Sequence, residues 1–97
     1  MQIEFLPEAK SELDDAINYY ETQSYGLGLS FKNEAKSTIQ RLSIFPTAWT
    51  QIKPNIRRCI MHKFPYNVLY SIEKDSILVI AIAHHHRKPR YWDKRNF

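Results

Sequence analysis

The chain has 97 residues, of which 43% are hydrophobic and 25% charged, and a net charge of +4. That suffices for one domain, residues 1–97, with its own packed core, and it is too apolar for intrinsic disorder. No apolar run approaches the ~20 residues that span a bilayer, and the opening segment MQIEFLPEAK lacks the basic region and apolar stretch of a secretory signal.

Residues 2–6 (QIEFL) alternate polar and apolar, the pattern of a short strand. Pro7 then suits the first turn of a helix, and Glu8 and Glu12 favour the positive end of its dipole. Ala9, Leu13, Ala16, Ile17 and Tyr20 recur at helical spacing and predict a helix over about residues 8–22. Tyr25-Gly26-Leu27-Gly28 interrupts that stripe with both glycines of the chain. A second stripe follows through Phe31, Ala35, Thr38, Ile39, Leu42 and Phe45. Pro46 disfavours helical geometry at Phe45 and ends it there. Two helices joined by a short glycine loop form an antiparallel hairpin.

Pro46 to Pro54 reads as a loop, after which the period becomes strand-like. Arg57–Lys63, Tyr66–Ile72 and Ile77–His84 are three β-prone runs, separated by Pro65 and by the polar turn Glu73-Lys74-Asp75-Ser76. Such short connections favour an antiparallel meander. The third run is apolar on both faces, as for a strand inside a sheet. The expected fold is α+β with order β-α-α-β-β-β, the helical hairpin packed on one face of a small, mostly antiparallel sheet.

The charge is unevenly spread. Residues 1–50 hold four Lys/Arg against seven Asp/Glu, whereas residues 51–97 hold ten against three. A basic second half suits nucleic acid or an acidic protein segment, and also suits a merely solvated face. The single cysteine, Cys59, forms no internal disulfide and no Cys-pair metal site, which fits a reducing cytoplasm.

The third β-run leads into His84-His85-His86-Arg87-Lys88-Pro89-Arg90-Tyr91-Trp92-Asp93-Lys94-Arg95. His84 and His86 share a strand face and could ligate a metal with His62, but no cysteine or carboxylate completes the set, so neither metal nor cofactor is expected. Metal-free RNA cleavage needs a base, cationic donors for the phosphate and an acid. Lys63, His85, His86, Arg87 and Tyr91 are chemically sufficient for those roles. Arg57, Arg58, Lys88, Arg90, Trp92 and Arg95 are the candidate surface for a nucleic-acid or protein partner. The plainer alternative leaves His84 at a strand end, Trp92 closing the core and the arginines solvated. No phosphate loop or nucleophile elbow is present. The pairs Asp14 with Asp15 and Glu8 with Glu12 read as solvated helix faces.

Several segments together resemble the RelE/ParE superfamily of type II toxin–antitoxin toxins, particularly its ParE-like, plasmid-stabilisation branch. They are Ala9…Leu13-Asp14-Asp15-Ala16…Tyr19-Tyr20-Glu21, Gly26-Leu27-Gly28…Phe31, Phe45-Pro46, Arg57-Arg58…Phe64-Pro65-Tyr66…Tyr70 and Ala81-Ile82-Ala83-His84…Arg87-Lys88-Pro89…Tyr91-Trp92…Arg95. The resemblance implies a bacterial toxin neutralised by a cognate antitoxin, whose acidic segment orders on binding. The superfamily divides between DNA gyrase poisons and ribosome-dependent mRNA endonucleases. The nuclease branch carries an arginine where this chain has Asn67, so the resemblance implies gyrase before ribosome and mRNA. If the chain were a nuclease, the resemblance would carry that branch's C-terminal arginine and tyrosine over to Arg87 and Tyr91.

Overall fold

The structure is a computed structural model describing residues 1–97. Its elements run β1 (Gln2–Phe5), α1 (Pro7–Gln23), α2 (Leu27–Ile44), β2 (Thr50–Lys53), β3 (Ile56–Ile60), β4 (Tyr66–Ile72) and β5 (Ser76–His84). The strands form one sheet in the order β1-β5-β4-β3-β2. β1 pairs parallel to β5, and the other neighbours are antiparallel. The predicted α+β hairpin-on-sheet architecture is the one observed.

Pro7 occupies the first turn of α1, where its missing N–H costs nothing. The helices are joined at Gly26, whose φ of 84° lies in the left-handed region that glycine enters freely. No side chain at the start of α2 caps it. Instead Glu21, from the end of α1, accepts hydrogen bonds from Gly26 N and Gly28 N at 3.1 and 3.0 Å. Gly28 is the point of closest approach: a Cβ there would lie 2.6 Å from the Ile17 carbonyl oxygen. After Pro46 the chain turns to the sheet, and the Tyr70 hydroxyl donates to the Pro46 carbonyl at 2.6 Å.

The buried faces of the hairpin (Ala9, Ala16, Phe31, Ala35, Leu42) pack on one sheet face, in a single core with Cys59, Val68, Tyr70, Ile80 and Ile82. An aromatic cluster of Tyr20, Phe31, Phe64 and Tyr66 closes one end, with ring centroids 4.8–6.2 Å apart.

The structure differs from the sequence expectation in two places. The segment read as a loop contains β2, an edge strand with three of its four residues exposed. Its pairing with β3 specifies it, since its own apolar alternation is too weak to do so. The first β-prone run stops at Ile60 rather than Lys63, and one further cross-strand bond, from Met61 N to the Tyr66 carbonyl at 3.0 Å, opens the loop to β4.

Candidate functional site

β5 is longer than its edge neighbour. β1 covers it only as far as Val79, and Leu6 N makes the last contact, to the Val79 carbonyl at 3.0 Å. Between the pairings Leu69–Ala81 and Tyr70–Val79 the strand carries one extra residue, Ile80, a bulge that re-aims main-chain groups. Side chains satisfy the groups that β1 leaves uncovered. Ile82 N donates to Glu12 Oε1 at 3.0 Å, and Arg95 Nη1 donates to the Ile80 carbonyl at 2.8 Å.

Glu12 is the centre of this arrangement. Besides Ile82 it accepts from Arg95 Nη1 and Nη2 at 2.9 and 2.7 Å and from the Tyr91 hydroxyl at 2.6 Å. The Glu12 and Arg95 side chains are only 15% and 13% exposed. Burial alone would raise the Glu12 carboxyl's pKa. The hydrogen bonds from Arg95, Tyr91 and Ile82 and the Arg95 charge outweigh it, and the carboxyl ends below its ordinary value. Tyr91 moves the other way: burial, then the hydrogen bond to the Glu12 carboxylate, push its phenol far above its ordinary value.

The tail beyond β5 therefore folds back onto the sheet rather than projecting from it. His85 N bonds to the Pro65 carbonyl at 2.8 Å, and short turns follow from Arg87 to Arg95. The tail lies across the sheet face opposite the helices. Lys53 Nζ pairs with Asp93 at 3.1 Å on the β2 side, and Arg95 reaches Glu12 on the β5 side. Trp92, 3% exposed, fills the space beneath.

This placement corrects part of the expected site. Trp92 is a core residue and has no face free to stack on a base, and Arg95 is committed to Glu12 and Ile80. Glu12, read from sequence as a solvated first-turn acid, is their buried partner. A signal was present: Glu12 lies three residues after Ala9 and four before Ala16, on the stripe that packs inward. Arg57 ties down the loop before β2, donating to the Thr47 and Trp49 carbonyls at 3.2 and 2.8 Å. Lys63 lies apart from the tail, in a depression with Glu34 and Phe64 beside α2. His62 contacts Arg41 at 3.0 Å and does not join the other histidines.

His84, His85, Arg87, Lys88 and Arg90 do come together, around a cleft of about 280 Å³ on the second sheet face. Arg58, Asn67, Leu69 and Ile52 complete its walls from the strands. Arg87 lies over the Tyr91 ring at 3.9 Å, and Arg90 pairs with Asp93 at 3.0 Å. His86 N donates to His84 Nδ1 at 3.0 Å, which requires that nitrogen to be unprotonated. Burial and the neighbouring His86 and His85 lower the His84 pKa, in keeping with that bond. Two buried polar atoms of the cleft residues, Arg58 Nε and Asn67 Oδ1, have no hydrogen-bond partner.

The nuclease set is thus not assembled in the expected way. His85 and Arg87 share the cleft, Tyr91 is tied to a carboxylate and Lys63 is elsewhere. What the site offers is a basic, partly apolar contact surface, beneath which Arg58 Nε and Asn67 Oδ1 are buried without partners.

The sequence matches the family model described as ParE toxin of type II toxin–antitoxin system, parDE, over residues 3–89. Among solved structures, the fold is similar to one described as the chromosomal ParDE TA system from P. aeruginosa. The TM-score is 0.73 at 15% identity, covering 87% of this chain and 95% of that one, a likeness of fold. No curated protein matches the chain by sequence.

Proposed function

The chain belongs to the ParE toxin family of type II toxin–antitoxin systems, and from that membership we propose that a cognate antitoxin holds it inactive and that the free toxin acts on DNA gyrase by protein contact. One observation carries the choice of a contact mechanism. The Tyr91 hydroxyl is bound to Glu12 at 2.6 Å, so the residue best placed to act as an acid on a leaving oxygen is occupied. Lys63 lies in another depression, which leaves metal-free RNA cleavage without its expected constellation. Inhibition by contact needs only a surface of fixed shape and charge, and the tail and cleft supply one.

Gyrase works on cytoplasmic DNA, so this reading also locates the toxin in the cytoplasm. No helix of the chain is long and apolar enough to cross a membrane.

The test is a supercoiling assay with purified toxin, gyrase, relaxed plasmid and ATP. Dose-dependent loss of supercoiling, or accumulation of cleaved plasmid, is expected, and added antitoxin should reverse it. Normal supercoiling at micromolar toxin, together with transcripts cut on translating ribosomes, would replace this reading with the endonuclease one.

A further inference from the structure

One turn of the tail carries a residue that its backbone does not favour. Three residues of the chain have positive φ: Gly26 at 84°, Asn55 at 61° and Arg90 at 61°. Glycine enters this region freely, and asparagine does so more readily than other residues. Arginine gains nothing from it, because its Cβ is pressed toward a main-chain carbonyl. The turn imposes the conformation. Tyr91 N bonds to the Lys88 carbonyl at 3.2 Å, with Pro89 in the second position and Arg90, at positive φ, in the third. This is a type II turn, whose third position calls for glycine.

Nothing inside the chain accounts for an arginine at that place. Its guanidinium makes one ion pair, Nε to Asp93 Oδ2 at 3.0 Å, and no hydrogen bond. The other Asp93 oxygen is held by Lys53. With the Arg90 side chain 59% exposed, such a pair adds little stability and serves to orient the group. Nor does Arg90 lie over a ring: Tyr91 carries Arg87 and Arg95, and Trp92 faces Lys53. The terminal nitrogens of Arg90, a planar fork matched to a carboxylate, therefore stand free at the rim of the cleft beside Arg87 and Lys88. Backbone strain that the fold does not need marks a functional position.

We propose that Arg90 is a target-contact residue of the toxin, its strained turn presenting the guanidinium fork to a carboxylate on the surface of gyrase. The proposal rests on the reading above that the toxin acts on gyrase by protein contact, and it names a residue and an acceptor for that contact. A phosphate acceptor on nucleic acid is disfavoured. Holding nucleic acid by stacking needs a free ring, whereas Trp92 is buried and Tyr91 already carries two guanidiniums.

The experiment compares wild type with Arg90→Gly and Arg90→Asn, which suit the turn and lack the guanidinium. Lys74→Gln removes the same charge from the turn at the opposite end of β5. Each protein is followed by thermal melting, by inhibition of supercoiling and by binding to gyrase without DNA. Arg90→Gly should melt within about 3 °C of wild type or above it. Both Arg90 variants should need at least about 10-fold more toxin for half inhibition and lose gyrase affinity alike, the loss of one charge-assisted bond. Lys74→Gln should stay within about twofold of wild type, as for a distant, screened charge. Inhibition by both Arg90 variants within about twofold of wild type, less than one lost hydrogen bond, overturns the assignment and leaves the gyrase reading standing. An equal loss in Lys74→Gln also overturns it, since net charge then does the work. So does a fall of more than about 5 °C in the melting of Arg90→Gly, which would make Arg90 a residue of the fold. Unchanged affinity for gyrase with weakened binding to plasmid DNA would make the acceptor a phosphate and overturn it as well. A wild-type toxin that neither binds nor inhibits gyrase refutes the gyrase reading, and the assignment falls with it.

Discussion

Replacing Glu12 with alanine should be among the most damaging single changes outside the apolar core. Four donors converge on this carboxylate: two from Arg95, one from Tyr91 and one from the main chain of Ile82. Removing it leaves a largely buried guanidinium without its counter-charge and a strand N–H without a partner. Breaking a buried pair from one side costs about 3–5 kcal/mol. The residual exposure of both side chains, 15% and 13%, places the expectation near the lower end of that range. For a domain of this size about 3 kcal/mol corresponds to a fall of about 15 °C in Tm. The exposed pair Lys10–Asp14 is the internal control, and Asp14→Ala should change stability by no more than about 0.5 kcal/mol. The assay is thermal melting followed by far-UV circular dichroism, with urea titration as a second measure. The same carboxylate predicts a pH dependence. Its folded pKa lies below its ordinary 4.5, so its contribution is complete above the unfolded value and is lost as pH falls through the folded one. Glu12→Gln should flatten that acid limb. A Glu12→Ala midpoint within about 3 °C of the parent, equivalent to under about 1 kcal/mol, would refute the reasoning that this network fastens the tail.

Three further outcomes are expected. Tyr91→Phe should retain growth arrest on expression while losing about 1 kcal/mol of stability, and abolished toxicity in a folded variant would return Tyr91 to a chemical role. Gly28→Ala should destabilise the domain by about 1–3 kcal/mol through overpacking, since its Cβ would meet the Ile17 carbonyl at 2.6 Å, and an unchanged urea midpoint would contradict this. Cys59 is fully buried and burial raises its thiol pKa, so a thiol reagent should label it only after denaturation. Labelling of the native protein at the rate of a free thiol would contradict that burial.

The helices and the inner strands were legible because each repeats apolar residues at the period of its own structure. The stripe through Ala9, Leu13 and Ala16 and the run ILVIAIA bury what those patterns require. β2 was not legible, because TQIK is an exposed edge whose order comes from its neighbour. The tail was misread for a different reason. Its basic composition suggested a surface free for a partner, but Arg95 meets an acid 83 residues earlier in the chain, a separation that no local pattern encodes. Nor did the sequence reveal the separate surroundings of Arg57 and Arg58, which were both placed on the partner surface. Arg57 holds the Thr47 and Trp49 carbonyls, and Arg58 Nε is buried without a partner.

The parallel pairing of β1 with β5 has a consequence for how the protein is made. Gln2 finds its neighbour in Ser76, so β1 must wait during synthesis for a strand made more than seventy residues later. Glu12 waits longer still. Contacts of such long sequence separation form slowly, and the growing polypeptide exposes unpaired strand and apolar helix surface meanwhile. The toxin should therefore complete its fold, and with it any capacity to harm the cell, only after residues 76–95 have left the ribosome.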